Sequence, residues 1–237
     1  MGSKNRIVKE ILPIILKTRI NNQPFVDLFC GGCSVIQHVD GIRIANDKNK
    51  YLIEMWKGLQ ENRERPKIIS KDLYSKARVE YNNGTNIDFD DFLIGWIGWM
   101  GSYNGRFFDG GYSGHDVGKT HRNYIDEQIR NTESQINKLK DVEFFSSDYK
   151  DFEFKKSCLI YCDIPYKETK QYATSKYFKH DDFFEWCRVM SKQGHTIFIS
   201  EYDAPDDFIC IWEKEIKNSM NQIKTYTATE KLFNYKQ

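Results

Sequence analysis

The stretch SCLIYCDIPYKET, residues 157–169, constrains this chain more than any other. Cys158, Leu159, Ile160 and Tyr161 lead through Cys162 into Asp163, Ile164, Pro165 and Tyr166, and polar sequence comes at once after them. An apolar run of this kind reads as the interior strand of a mostly parallel sheet. In open α/β sheets ligands sit beyond the carboxyl ends of the strands, so Asp163 and Tyr166 are expected to face a ligand.

The rest of the chain supplies the partners such a strand needs. In KNRIVKEILPIILKTR, Ile7, Ile11, Ile14 and Ile15 share one helical face, and Pro13 is expected to kink or split the helix. PFVDLF (24–29) reads as a strand, followed by the Gly31-Gly32 turn and a short helix beginning near Ser34. GIRIAND (41–47) reads as a second strand ending in an acid, and Asn49 can cap a helix running through Leu59. Strand, tight turn, helix, strand and acid form the front half of a nucleotide-binding α/β unit.

From about 62 to 140 the sequence is helical, polar and poor in strands, around FLIGWIGWMGSYNGRFFDGGYSG. Seven of the fifteen glycines fall within 95–114, which calls for close helix packing followed by a flexible, aromatic-studded loop. Strands return at VEFFSSD, CLIYCD, HTIFISEY and FICIWEKEI, with a helix at about 180–192. The expected organisation is a core built from 1–61 and 141–237, with 62–140 as a mostly helical target-recognition insertion.

Lys and Arg number 35 against 34 Asp and Glu, so a basic nucleic-acid coat is excluded and any nucleic-acid site must be local. No stretch reaches the roughly 18–20 apolar residues of a membrane span, and MGSKNRIVKE lacks the apolar core of a signal peptide. A cytoplasmic protein with reduced thiols is expected.

DLFCGGCS (27–34) places Gly31 and Gly32 where absent side chains let a ligand approach the backbone and a helix start, although a plain tight turn explains the glycines equally well. Asp47, at the end of the next strand, sits where an acid can accept hydrogen bonds from ribose hydroxyls. Together they favour a nucleoside-containing cofactor. Asp148 is a third strand-end acid, or else a helix cap for YKDF. At Asp-Ile-Pro-Tyr, a carboxylate and the carbonyl of Ile164 or Pro165 can accept the two hydrogens of an adenine amino group. That favours a pyramidal nitrogen able to attack an electrophilic methyl. Tyr166 can stack on a base drawn out of its helix.

In these motifs and their order the chain resembles the N6-adenine DNA methyltransferases of the Dam type, and more closely their short bacteriophage-like relatives. MGSKNRIVKEILPII resembles the amino-terminal cofactor motif, PFVDLFCGGCSV the F-V-E-P-F-x-G-G-G-S turn, and RIANDKNKYLI the A-D-x-N-x-x-L-I segment. FFDGGY lies in the region that helps recognise DNA, CDIPY stands in place of D-P-P-Y, and GHTIFISEY matches the following strand. Cofactor motif first and catalytic motif last is the family's alpha arrangement.

The resemblance implies a Rossmann-like α/β core of the seven-stranded type, with S-adenosyl-L-methionine as cofactor and double-stranded DNA as substrate. It implies catalytic roles for Asp163, Pro165 and Tyr166, and a cofactor site of Lys4, Phe29, Gly31, Gly32, Asp47, Asp148 and Asp163. No metal is implied, a monomer is the default, and the setting is a bacterial or phage-infected cell, with restriction-modification as one context. Three positions depart from the pattern: Asp27-Leu28 replaces Glu-Pro, Cys33 replaces a small residue, and Ile164 replaces proline. The last also makes CDIPY resemble the N-I-P-Y of ribosomal RNA adenine methyltransferases, which keeps an RNA substrate as the alternative. A catalytically silent DNA-binding relative is another.

Cys30 and Cys33, with Cys158 and Cys162, have spacing that could suggest zinc, but small buried thiols are ordinary at strand ends. The Pro-Cys nucleophile of cytosine-5 methyltransferases is absent. For DNA contact the glycine-rich loop offers Asn104, Arg106, Lys119 and Arg122, with His115 and His121 solvated or contacting phosphate. Trp56, Trp96, Trp99 and Trp186 are expected in the core, with Trp96 or Trp99 as the exceptions.

Overall fold

The computed structural model describes residues 4–114, 122–167, 177–218 and 226–235. Helix α1 (Val8–Leu16) runs unbroken through Pro13, which lies on the exposed side, while Ile11 and Ile15 are fully buried. Strand β1 (Phe25–Asp27) comes next, and the short helix expected near Ser34 after the Gly-Gly turn is a single 3-10 turn that starts two residues later. The chain makes consecutive turns and only a 3-10 helix, Ile36–His38. Cys33 takes φ +55°, a left-handed geometry that interrupts helical winding.

After β2 (Arg43–Asn46), the Asn49 side chain accepts the Tyr51 amide and starts α2 (Lys50–Gln60), as its sequence position suggests. Helices α3 (Lys71–Asn83), α4 (Asp91–Gly101), α5 (Tyr124–Glu133) and α6 (Ile136–Leu139) precede β3 (Glu143–Phe145). Then come β4 (Leu159–Asp163), α7 (His180–Lys192), β5 (Thr196–Glu201), β6 (Phe208–Asn218) and β7 (Tyr226–Tyr235).

The strands form one mixed seven-stranded sheet in the order β3-β2-β1-β4-β5-β7-β6. β1 to β5 pair in parallel, and β7 enters antiparallel between β5 and β6. This is the Rossmann-like architecture expected. Because strand side chains alternate, Phe25, Leu159, Tyr161 and Phe198 enter one apolar cluster, while Val26, Ile160, Cys162, Ile197 and Ile199 enter another. The first cluster also takes in α1, α2 and the α3–α5 helices, and the second takes in α7.

α4 is apolar all round and is buried at nearly every position. A Cβ on its Gly95 would lie 2.0 Å from the Tyr51 carbonyl oxygen, so glycine there lets α4 and α2 meet backbone to backbone. Trp96, expected as an exception to the core, is fully buried and donates its indole N–H to the Pro66 carbonyl. Trp99 is also buried, over the Gly-Gly turn.

Candidate active site

The order of strands reverses between β1 and β4, and this crevice gathers most of the residues singled out by sequence. On the β1–β2 side the construction is mainly backbone. Asp47 accepts the Gly31 amide (2.9 Å) through one carboxylate oxygen and the Asn49 amide (2.8 Å) through the other. It thereby joins the glycine turn to the start of α2. Asn46, which the sequence did not single out, bonds Leu28 and both the amide and carbonyl of Ser147, clasping the ends of β1, β2 and β3.

Gly31 has φ +45° and receives the Trp56 indole N–H on its carbonyl (3.0 Å). The space at Gly32 is taken by protein: a Cβ there would stand 2.8 Å from the Trp99 ring. The glycine therefore admits a tryptophan from α4, whatever else approaches its backbone. Phe29 packs among Tyr149, Phe178 and Phe183. Asp148 pairs with Lys48 (2.7 Å) and accepts the Lys150 amide, capping a turn at YKDF where the sequence left open a helix.

On the β4 side the construction is side chain to side chain. The buried Lys4 ammonium donates to Tyr166 Oη (2.7 Å) and lies 2.9 Å from Asp163 Oδ1 and 3.3 Å from Glu230 Oε2. The Tyr166 hydroxyl donates in turn to Glu230 Oε2 (2.7 Å). Glu230 lies on β7, and its part here was not read from the sequence. Lys4 Nζ also sits 4.6 Å from the Tyr166 ring centroid, and the Tyr202 ring meets it at 4.5 Å in a T-shaped contact. With Tyr166 8% exposed, stacking a base on this ring requires one of these neighbours to shift.

The electrostatics derive from burial. Asp27 is held well above the usual carboxylate range by burial and the neighbouring Asp163, against a hydrogen bond from the Ile36 amide. Burial raises Asp47 too, opposed by the two amides it accepts. It also raises Asp163, and Lys4 only partly offsets it. For Lys4 burial alone would lower the ammonium, but Asp163 and Glu230 outweigh it and leave it raised. The crevice thus holds more carboxyl groups than cations, a surplus that suits a positively charged ligand.

Asp163 stands at the end of β4 with the Ile164 carbonyl just beyond. Among the described residues no group donates a hydrogen bond to that carbonyl, whereas His180 Nε2 lies 2.8 Å from the Pro165 oxygen. Of the four residues proposed for DNA contact, Arg106 makes no ion pair among the described residues. Arg122 is paired with Glu127 (2.7 Å) and lies over the Tyr124 ring. Asn104 lies on the 3-10 turn Tyr103–Gly105, and Lys119, like His115 and His121, falls outside the described residues.

Among the described residues no cluster of three His, Cys, Asp or Glu side chains is suited to a metal, and no helix is long and apolar enough to cross a membrane.

The family model for D12 class N6 adenine-specific DNA methyltransferases matches residues 1–93, the part that holds Lys4, the glycine turn and Asp47. The chain is also similar to the crystal structure of SMU.472, a candidate methyltransferase complexed with SAH. The identity is 16%, the TM-score 0.42, and the match covers 98% of this chain and 52% of that one. The chain therefore spans about half the length of the solved structure it matches.

Proposed function

We propose that this chain transfers the methyl group of S-adenosyl-L-methionine to the exocyclic amino group of adenine in duplex DNA. The observation that carries the reading is the placement of Asp163 and the Ile164 carbonyl, two acceptors at the end of β4, across the strand-order reversal from the Gly31-Asp47 turn. The D12 class match over residues 1–93 supports the same reading, since it covers the cofactor half of the crevice.

The cofactor fits the donor set. Asp27, Asp47 and Asp163 put buried carboxyl groups at the ends of β1, β2 and β4, as a sulfonium-bearing, amino-bearing ligand requires. Lys4, Phe29, the Gly31-Gly32 backbone, Asp47 and Asp148 would hold it, and when bound it supplies a methyl group on a positively charged sulfur. Asp163 and the Ile164 carbonyl accept the two amino hydrogens and turn the nitrogen lone pair towards that methyl. Asp163, whose affinity for protons burial raises, would take up the proton that the amino nitrogen releases on methylation. Tyr166, tied to Lys4 and Glu230, frames the base. The remaining contribution is positioning and exclusion of water.

The helices of 62–140, with Asn104, Arg106, Lys119 and Arg122, are the proposed DNA-recognising portion, in a protein working inside the cell. Expression in a methylation-free host and then sequencing of genomic DNA for N6-methyladenine tests the reading. Modified adenine at a defined sequence is expected. Unmodified DNA together with modified structured RNA would move the activity to RNA, and cofactor binding with no transfer to either would make the chain a silent relative.

A further inference from the structure

The turn after β4 is held at more points than its proposed chemistry uses. The Tyr166 hydroxyl is fixed by Lys4 and Glu230. The Lys167 amide donates to Glu201 Oε2 (3.2 Å), and the other oxygen of that carboxylate accepts the Tyr202 amide (2.7 Å). Between these anchors lies the 2.8 Å contact from His180 Nε2 to the Pro165 carbonyl.

A carbonyl can only accept, so Nε2 must carry the hydrogen and the imidazole acts here as a donor. The same nitrogen lies 3.5 Å from Glu201 Oε2, and the Phe178 ring meets the imidazole edge-on, 5.0 Å between centroids. His180 is the first residue of α7 and Glu201 the last of β5, so two rigid elements converge on the turn. Neither residue is needed for the proposed transfer.

We infer that His180, braced by Glu201, is a positioning residue that takes up the Pro165 carbonyl and leaves the Ile164 carbonyl as the acceptor presented beside Asp163. The inference rests on the methyl-transfer reading for its catalytic consequence, while the positioning itself is a property of the folded chain. Pro165 lacks an N–H and Ile164 is biased to extended backbone by the proline after it, so the turn has few internal hydrogen bonds of its own. A rotation of the Pro165–Tyr166 peptide would swing one carbonyl towards the substrate position in place of the other, and His180 opposes that rotation.

The test compares His180→Phe, which keeps a flat ring and loses the donor, with His180→Gln, which keeps an N–H within reach of Pro165. Amide hydrogen exchange at Tyr166 and Lys167, measured by NMR, needs no substrate. It should speed up about tenfold in His180→Phe and stay within threefold of wild type in His180→Gln. The single-turnover methyl-transfer rate at saturating S-adenosylmethionine should fall at least tenfold in His180→Phe and recover in His180→Gln, with cofactor affinity in both within twofold of wild type.

Unchanged exchange in His180→Phe, or equal losses in both variants, would overturn the positioning role. If the exchange contrast holds while wild type methylates no adenine, the positioning role stands and the functional reading falls. Should wild type be active and the exchange contrast absent, the reverse is true.

Discussion

The two halves of the crevice are built differently. Around β1 and β2, Asp47 and Asn46 speak to backbone amides and carbonyls, and helices close over the glycine turn through Trp56 and Trp99. Around β4, Lys4, Asp163, Tyr166 and Glu230 speak to one another through side chains, across separations of up to 226 residues. Backbone construction sets shape and tolerates loss of a single charge. A side-chain cluster sets charge, and loses its balance when one member goes.

The sharpest test of that contrast is Asp163→Ala. Lys4 keeps Glu230 as a partner, so the fold should survive, while single-turnover methyl transfer should drop by about a thousandfold or more, roughly 4 kcal/mol of barrier. Asp163→Asn, which keeps the volume and one acceptor oxygen, should also be severely impaired. Activity within tenfold of wild type in the alanine variant would dissolve the distinction between the two halves.

The next effect is on stability and its pH dependence. Burial raises the Glu201 carboxyl to about 7 from its ordinary 4.5, against the amides of Tyr202 and Lys167 that favour the charged form. A raised folded value means that the native chain keeps a proton which the unfolded chain releases. The stability from this group is therefore complete below about pH 4.5 and is lost as pH rises through 7. The span is at most about 3 kcal/mol. Asp163 and Asp27 are raised as well and slope the same way. Denaturant titrations at pH 5, 6 and 8 should show a shallower decline in Glu201→Gln than in wild type. An unaltered decline would place its origin in the other carboxyls.

Much of this was legible in the sequence, for physical reasons that can be named. The apolar run before Asp163, the Asn49 cap and the span 180–192 each depend on neighbours within one element, and each is found as expected. Glu201 closes an apolar strand just as Asp163 does, so the same rule would have found it. Glu230 was hidden because YTATEKLFNY has no continuous apolar run. It becomes a strand through antiparallel pairing with β5 and β6, which no local pattern announces. The contact of Trp99 with Gly32 was hidden, because nothing nearby in sequence hints that a tryptophan of α4 fills the space beside that glycine.

That contact sets up the third test, which probes the backbone-built half. Gly32→Ala puts a methyl 2.8 Å from a rigid indole that is itself bonded to Thr132, so the ring must move. Overpacking of this kind costs about 1–3 kcal/mol. If Trp99 is the obstacle, Trp99→Leu should recover part of the loss in the Gly32→Ala background while being destabilising alone. That non-additivity is the signature of a shared contact. Additive losses in the double variant would mean that Gly32 is required for some reason other than the tryptophan.

The smallest effect is expected at Ile164, where the chain departs from the D-P-P-Y pattern at the seam between backbone and side-chain construction. The proposed chemistry uses a carbonyl there, and isoleucine supplies one as well as proline does. Pro165 already biases Ile164 to extended geometry, and His180 and Glu201 hold Pro165 and Lys167, so the turn does not depend on a first proline for its shape. The isoleucine side chain is 3% exposed in the same apolar cluster as Cys162 and Phe183, so it contributes packing that proline only partly replaces. Against that loss, proline removes unfolded-state freedom worth about 0.4–1 kcal/mol where the geometry is compatible. Ile164→Pro should therefore change the methylation rate on duplex DNA by less than about tenfold, or ~1.4 kcal/mol of barrier. Rates of both proteins on duplex DNA and on structured RNA of matched adenine content decide the matter. A wild type inactive on both but rescued by Ile164→Pro would mean that the isoleucine silences the site and that the carbonyl alone is not enough.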